Sequence, residues 1–123
     1  MTIRRRQVGL AGEKAARAYL EENGYQIIEA NYQCPLGEID IVARENKTIV
    51  IVEVRTRTSL SFGGPEESIT AEKSHRLQRL ALYYLKSVYK HEMPCRIDLV
   101  AVMLHKENHS IINLKHIRGI LAG

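Results

Sequence analysis

Apolar residues recur along this chain at two different periods, and the switches between them mark the elements. Val8, Ala11, Gly12, Ala15, Tyr19 and Leu20 repeat at helical spacing, predicting a helix over Val8 to Glu22 that Asn23-Gly24 stops. Tyr25 to Tyr32, with Ile27 and Ile28, reads as a strand, and Cys34-Pro35-Leu36-Gly37 reverses the chain. Glu38 to Arg44 is a second strand, and Glu45-Asn46-Lys47 makes a short hairpin turn into Thr48 to Arg57. In that third strand Ile49, Ile51, Glu53, Arg55 and Arg57 share one face, and Val50, Val52, Val54 and Thr56 take the other. Apolar residues on both faces predict a central strand covered on both sides.

Ser59 to Pro65 reads as a loop broken by Gly63-Gly64-Pro65. A long helix follows from about Thr70 to Lys90, with Leu77, Leu80, Ala81, Tyr84, Leu85 and Val88 as its buried stripe and Ile69 just before it. Pro94 prevents its continuation. Arg96 to Leu104 is a fourth strand, Ser110 to Leu114 a fifth, and the tail from His116 to Gly123 is a short helix or an irregular arm. The pattern predicts one α+β domain over residues 1–123, in the order α-β-β-β-α-β-β.

Composition narrows this only a little. With 123 residues, 45% hydrophobic and 26% charged, the chain can bury a core without disulfides. Cys34 and Cys95 form no CxxC unit, no apolar stretch reaches the length of a membrane span, and no signal peptide is visible. A cytoplasmic protein with free thiols and no membrane partner is the expectation. The net charge of +4 is compatible with a polyanion, and its distribution says more. Arg4-Arg5-Arg6, then Arg55 with Arg57, then Lys73, Arg76 and Arg79 form local clusters.

The acidic residues carry the chemistry. Gly37-Glu38-Ile39-Asp40 is followed by Ile51-Val52-Glu53-Val54-Arg55, so carboxylates stand on two apolar strands where burial is costly without a cation or hydrogen bonds. With Glu45-Asn46 as the hairpin tip, Asp40 falls opposite Ile51 and Glu38 opposite Glu53. Asp40 and Glu53 then become diagonal neighbours on one face, roughly 7–8 Å apart. Both could reach one Mg2+, an ion that takes oxygen ligands and keeps several waters. Such an ion assists phosphodiester hydrolysis, and a nearby cation, here Arg55, steadies charge developing at phosphorus. Glu13, adjoining the buried stripe of the first helix, is a third candidate acid, and Lys73 borders the stripe of the second. A structural reading stays open beside this one: Glu53 with Arg55 and Arg57 as an ion-pair network, and Glu13 paired with Arg17. His105 and His109 flank a turn-like segment and have no trusted ligand spacing, and Gly63-Gly64-Pro65 lacks the Lys-Ser/Thr of a phosphate loop.

Gly12-Glu13, Gly24-Tyr25-Gln26-Ile27-Ile28, Asn31-Tyr32, Gly37-Glu38-Ile39-Asp40 and Val52-Glu53-Val54-Arg55-Thr56-Arg57 together resemble the YraN-type bacterial family. The resemblance continues through Phe62-Gly63, Lys73 and Arg96-Ile97-Asp98-Leu99-Val100, covering nearly the whole chain in order. It implies a restriction-endonuclease-like PD-(D/E)XK core, similar to archaeal Holliday-junction resolvases, with a mixed sheet of about five strands between two main helices. It also implies a metal-dependent endonuclease acting on DNA, branched or single-stranded, with Mg2+ or Mn2+ as cofactor. Carried over by residue, Glu13, Asp40, Glu53 and Arg55 are the active-site members, with Asp40 and Glu53 as metal ligands. Arg55, Arg57, Lys73 and Arg76 would contact nucleic acid, and a homodimer is compatible by analogy with branched-DNA enzymes. Two departures stand out: Ile39 replaces the proline before the aspartate, and Arg55 occupies the position of the motif's lysine. Arginine keeps the charge and can grip phosphate bidentately, but it cannot transfer a proton near neutral pH. Either an active nuclease or a nucleic-acid-binding module of the same fold with weak or no cleavage follows from that change.

Overall fold

The computed structural model describes residues 3–58, 69–91 and 93–120. They form helix α1 (Ile3–Glu22), strands β1 (Gln26–Cys34), β2 (Gly37–Glu45) and β3 (Thr48–Arg57), helix α2 (Ala71–Tyr84), and strands β4 (Cys95–Leu104) and β5 (Ile111–Ile117). The five strands lie in the order β1-β2-β3-β4-β5. β3 and β4 are parallel and every other pair is antiparallel. The one parallel pair needs a crossover, and α2 supplies it. The result is an α+β fold with an open mixed sheet, in the expected element order.

Each face of the sheet carries a helix, which explains the doubly apolar β3. Val50 and Val52 pack with Ile41, Ala43, Ala16 and Leu20 beneath α1. Ile49 and Ile51 pack with Val42, Leu77, Leu80 and Tyr84 beneath α2. α1 comes unusually close to the sheet at Gly12, because a Cβ there would run into the side chain of Thr56. Thr70 caps α2, its hydroxyl accepting the Lys73 N–H at 3.2 Å.

Several expectations need correction. α1 begins at Ile3 and takes in Arg4-Arg5-Arg6, since arginine is a good helix former and nothing before Val8 breaks the helix. α2 ends in a π-helical turn, Leu85–Tyr89, and the wider turn rotates the stripe. Val88 is therefore exposed, and Tyr89 packs against the core in its place. The tail is neither helix nor free arm at its start: His116 and Ile117 complete β5, which runs three residues past the expected Leu114. The hairpin between β2 and β3 turns on Asn46-Lys47, with Asn46 at positive φ and Glu45 paired with Thr48. This moves the pairing by two positions from the expected one and so preserves every side chain's face. Cys34 and Cys95 are free thiols. The Ser59–Pro65 loop and Phe62-Gly63 lie outside the described residues. Among those described, no helix is long and apolar enough to cross a membrane.

Candidate active site

The ladder between β2 and β3 runs from Glu45–Thr48 to Ile41–Val52. Continuing it one step sets Asp40 beside Glu53, directly opposite rather than diagonal. There the strands part: Asp40 Oδ2 accepts the Val54 N–H at 2.8 Å, a side chain taking the place of a ladder carbonyl. Ile39 packs beneath α2 while Ile41 packs beneath α1, although residues two apart on a strand ordinarily share a face. The twist through Asp40 leaves its carboxyl at the opening between the strands.

A cleft of about 450 Å³ lies over this opening, lined by Leu36, Gly37, Glu38, Asp40, Glu53, Val54, Arg55, Lys73 and Arg76. Glu53 is buried, at 8% exposure, and Asp40 is half-buried. Burial pushes the Asp40 carboxyl up from 3.8 to about 7. The Val54 N–H works against that shift, while the charge of Glu53 and a hydrogen bond between the two carboxyls reinforce it. Two acids this close resist simultaneous ionisation unless a cation joins them.

Glu13 reaches the same end of the sheet from α1, one residue past the Gly12–Thr56 approach that brings the helix down. Burial first, then Glu38, raises its pKa. With its amide nitrogen facing the acids, Asn31 donates to Glu13 Oε1 and to Glu38 Oε1, each at 2.9 Å. Asn31 holds positive φ (56°), a conformation asparagine tolerates better than most residues. Arg17 also acts on Glu13, lowering its pKa, so the expected Arg17 partnership is one influence among several.

Opposite the acids stands a basic wall. Arg55 Nη2 lies 3.1 Å from Glu53 Oε2, and Arg55 Nε is buried without a hydrogen-bond partner. Lys73 and Arg76 enter from the first turns of α2. Burial, and next the charge of Arg55, lowers the Lys73 pKa, with Glu53 working the other way. Arg57 does not line the cleft, though its charge is felt by Lys73. The structure thus gathers Glu13, Asp40, Glu53, Arg55, Lys73 and Arg76 around one end of the sheet and leaves Arg57 at its margin. Asn31 and Glu38 belong to the same group. Asn31 stood in the resemblance without a role, because a strand asparagine has no periodic or spacing signal.

An oxygen-only pair suits a hard divalent ion, and an acid pair lacking a counter-charge between its members is where such an ion is stabilising. Among the described residues, no group of three or more His, Cys, Asp and Glu side chains is placed to hold a metal by itself. An ion at Asp40 and Glu53 would therefore take its other ligands from water, backbone or substrate, as Mg2+ commonly does.

A second polar cluster escaped sequence reasoning. Asp98 is fully buried under α1, on the sheet face away from Glu53. It accepts from Arg96 Nε at 2.8 Å, from Gly119 N–H at 3.0 Å, and lies 2.8 Å from His116 Nε2. Burial pushes its carboxyl up, and bonds from His116, Arg96 and Gly119 more than offset this, holding it below the usual range.

The profile of the uncharacterised protein family UPF0102 matches residues 12–102. The chain belongs to UPF0102. A UPF0102 protein of Moorella thermoacetica is 50% identical over 119 residues, covering 97% of this chain and 98% of its own. One from Desulfitobacterium hafniense is 44% identical over 121 residues, covering 98% and 100%. One from Lachnoclostridium phytofermentans is 51% identical over 106 residues, covering 85% and 89%. The UPF0102 match begins at Gly12 and takes in every acid of the cleft, along with Arg55, Lys73 and Arg76.

Proposed function

We propose that this protein hydrolyses phosphodiester bonds in DNA, branched or single-stranded, with a divalent cation, Mg2+ or Mn2+, at Asp40 and Glu53. The observation that carries the reading is the cleft itself: two adjoining carboxyls, one of them half-buried and holding its proton to about pH 7, face Arg55, Lys73 and Arg76. A purely structural ion-pair network would match each acid to a base. Here, among the described residues, Asp40 meets a backbone N–H and the charges of two further acids, Glu53 and Glu13. When bound, the ion polarises phosphate oxygens and makes water a better nucleophile.

The chain's own residues supply the rest. Asp40 and Glu53 offer oxygen ligands, with the Val54 N–H fixing the orientation of Asp40. Arg55 stabilises the phosphate bearing the developing charge, and its spare buried Nε–H is a donor that a phosphate oxygen satisfies once the side chain turns. Lys73, as a point charge, and Arg76, as a planar donor fork, hold the strand against the cleft. Glu13 is an auxiliary acid whose direction is set by Asn31.

The alternative, a binding module without cleavage, is favoured by Arg55 itself, which is paired with Glu53 and cannot pass a proton. Labelled flap and four-way DNA incubated with Mn2+ separates the two. Cleavage by the wild type that Asp40→Ala abolishes, by 100-fold or more on the scale of about 2.7–4 kcal/mol for losing one such stabilising group, supports the enzyme. Binding without cleavage, with turnover appearing in Arg55→Lys, supports the module. Cleavage that survives Asp40→Ala would refute the site.

A further inference from the structure

α1 reaches past its contact with the end of β3, and the exposed overhang carries Arg4, Arg5 and Arg6. Asn23-Gly24 joins the end of α1 to the start of β1, and β1 runs parallel to β3, so α1 runs back toward the end of β3 where the cleft lies. Gly12 sits against Thr56, the last residue but one of β3. Residues 3–7 are all exposed and extend beyond that contact.

On this overhang Arg6 has a particular place. It precedes Glu13 by seven residues, which leaves the two side chains about 20° apart around the helix. Leu20 in the core, Glu13 at the site and Arg6 in solvent stand seven residues apart along one edge of the packed face. Between Glu13 and Arg6 on that face is Gly9, where an added Cβ would meet nothing within 4 Å among the described residues. The first turn of α1 has no acidic residue to neutralise Arg6. Arg6 lies about 120° around the helix from Gly12, where α1 meets Thr56, and so stands on the edge of the packed face that Glu13 occupies beside the cleft.

We infer that the α1 overhang is a second wall of the nucleic-acid groove, with Arg6 contacting a backbone phosphate away from the one at Asp40 and Glu53. Seven residues of helix place Arg6 about 10.5 Å along the axis from Glu13. At roughly 3.4 Å per base step, that is about three steps along the DNA. The overhang and the Lys73–Arg76 wall then grip the strand on two sides of the acids. The inference rests on the nuclease-type reading of the cleft in one respect, that the polyanion is DNA.

The test is the salt dependence of binding, read by fluorescence anisotropy of labelled flap DNA in EDTA, for the full chain. Each phosphate contact contributes about 0.7–0.9 to the slope of log K against log salt. Arg6→Gln is expected to lower that slope by about this amount, so that between 50 and 200 mM salt the variant loses about 3-fold less affinity than the wild type. Arg6→Lys keeps the slope, and Lys14→Gln, which removes an exposed charge on another face of α1, leaves it unchanged. Circular dichroism melts confirm that all three variants fold. Equal slopes for Arg6→Gln and Lys14→Gln overturn the overhang while leaving the cleft reading intact. No DNA binding by the wild type even at low salt overturns both. Binding of anionic vesicles that Arg6→Gln abolishes, with the DNA slope unchanged, assigns the overhang to a membrane surface and overturns the inference.

Discussion

In an unfolded chain Asp40 gives up its proton near its ordinary value of 3.8, and in the folded protein near 7. Between those values the native state holds a proton that the unfolded state has lost, so stability falls as pH rises through that window and stays reduced above it. Asparagine mimics the protonated acid and keeps an oxygen for the Val54 N–H. Asp40→Asn is therefore expected to melt higher than the wild type at pH 8 in EDTA, and the gap should close by about pH 4. Mn2+ should raise the wild-type melting temperature more at pH 8 than at pH 6 and leave Asp40→Asn unmoved. A variant that melts lower at pH 8 would mean that the Asp40 carboxylate is compensated in the metal-free fold. Asp40 and Glu53 were legible as neighbours because the two-position register change keeps faces, even though alternation breaks between Ile39 and Ile41. The pH at which Asp40 titrates was not, since it depends on how deeply the twist at Ile39–Ile41 buries the carboxyl and on its distance from Glu53.

At the scale of elements, the sequence announced α1, β3 and α2 clearly and misplaced their junctions. β3 matched its expected bounds, Thr48–Arg57, because alternation and β-branched residues agree throughout. The hairpin was off by two positions, because whether Glu45 or Asn46 opens the turn depends on a backbone angle that several residues there could adopt. The π-helical turn was invisible, since Leu85 and Val88 keep a helical spacing, whereas in the fold Tyr89, edge-on to Tyr84, packs against the core. Gly12 is the element-scale hinge of the site. Alanine is a better helix former than glycine by about 1 kcal/mol, so an exposed Gly→Ala change in α1 should stabilise. At Gly12 the added Cβ meets Thr56 and must lift the helix or displace the strand. Gly12→Ala is expected to destabilise by about 1–3 kcal/mol in urea melts, as overpacking does. Gly9→Ala, with open space around it, should stabilise instead. Thr56→Ala should recover part of the Gly12→Ala loss, a coupling that a double-mutant cycle reads directly. Additive effects would place the Gly12 requirement somewhere other than this contact.

For the whole molecule, the two faces of the sheet divide the work. The α2 face ends in a cleft whose acids oppose each other, whereas the α1 face is fastened by a polar cluster in which the donors and acceptors match. Asp98 gathers Arg96, His116 and the Gly119 N–H, and the cluster extends outward from there. Arg96 also reaches Glu45 at 3.0 Å and the Tyr25 hydroxyl at 2.9 Å, and His116 Nδ1 lies 3.1 Å from the Tyr19 hydroxyl. One buried carboxylate thereby ties α1, the turn into β1, the end of β2, β4 and β5 together. Removing the charge leaves Arg96 to Glu45 and Tyr25 and turns one acceptor toward His116 and Arg96 into a donor, and breaking a buried pair from one side destabilises by about 3–5 kcal/mol. Asp98→Asn is expected to lose stability on that scale at pH 7 and to increase hydrogen exchange first in β5, which the cluster holds from its far end. Because the folded pKa of Asp98 lies below its ordinary 3.8, its contribution is present above about pH 4 and is lost as pH falls further. The deficit of Asp98→Asn relative to wild type should therefore shrink only in strong acid, opposite in sign to the Asp40→Asn profile. The Mn2+-induced shift in melting temperature should survive in Asp98→Asn, because the sheet separates Asp98 from Asp40 and Glu53. A variant that keeps its stability yet loses the Mn2+ response would place Asp98 in the function of the cleft and reverse the division of labour between the two faces.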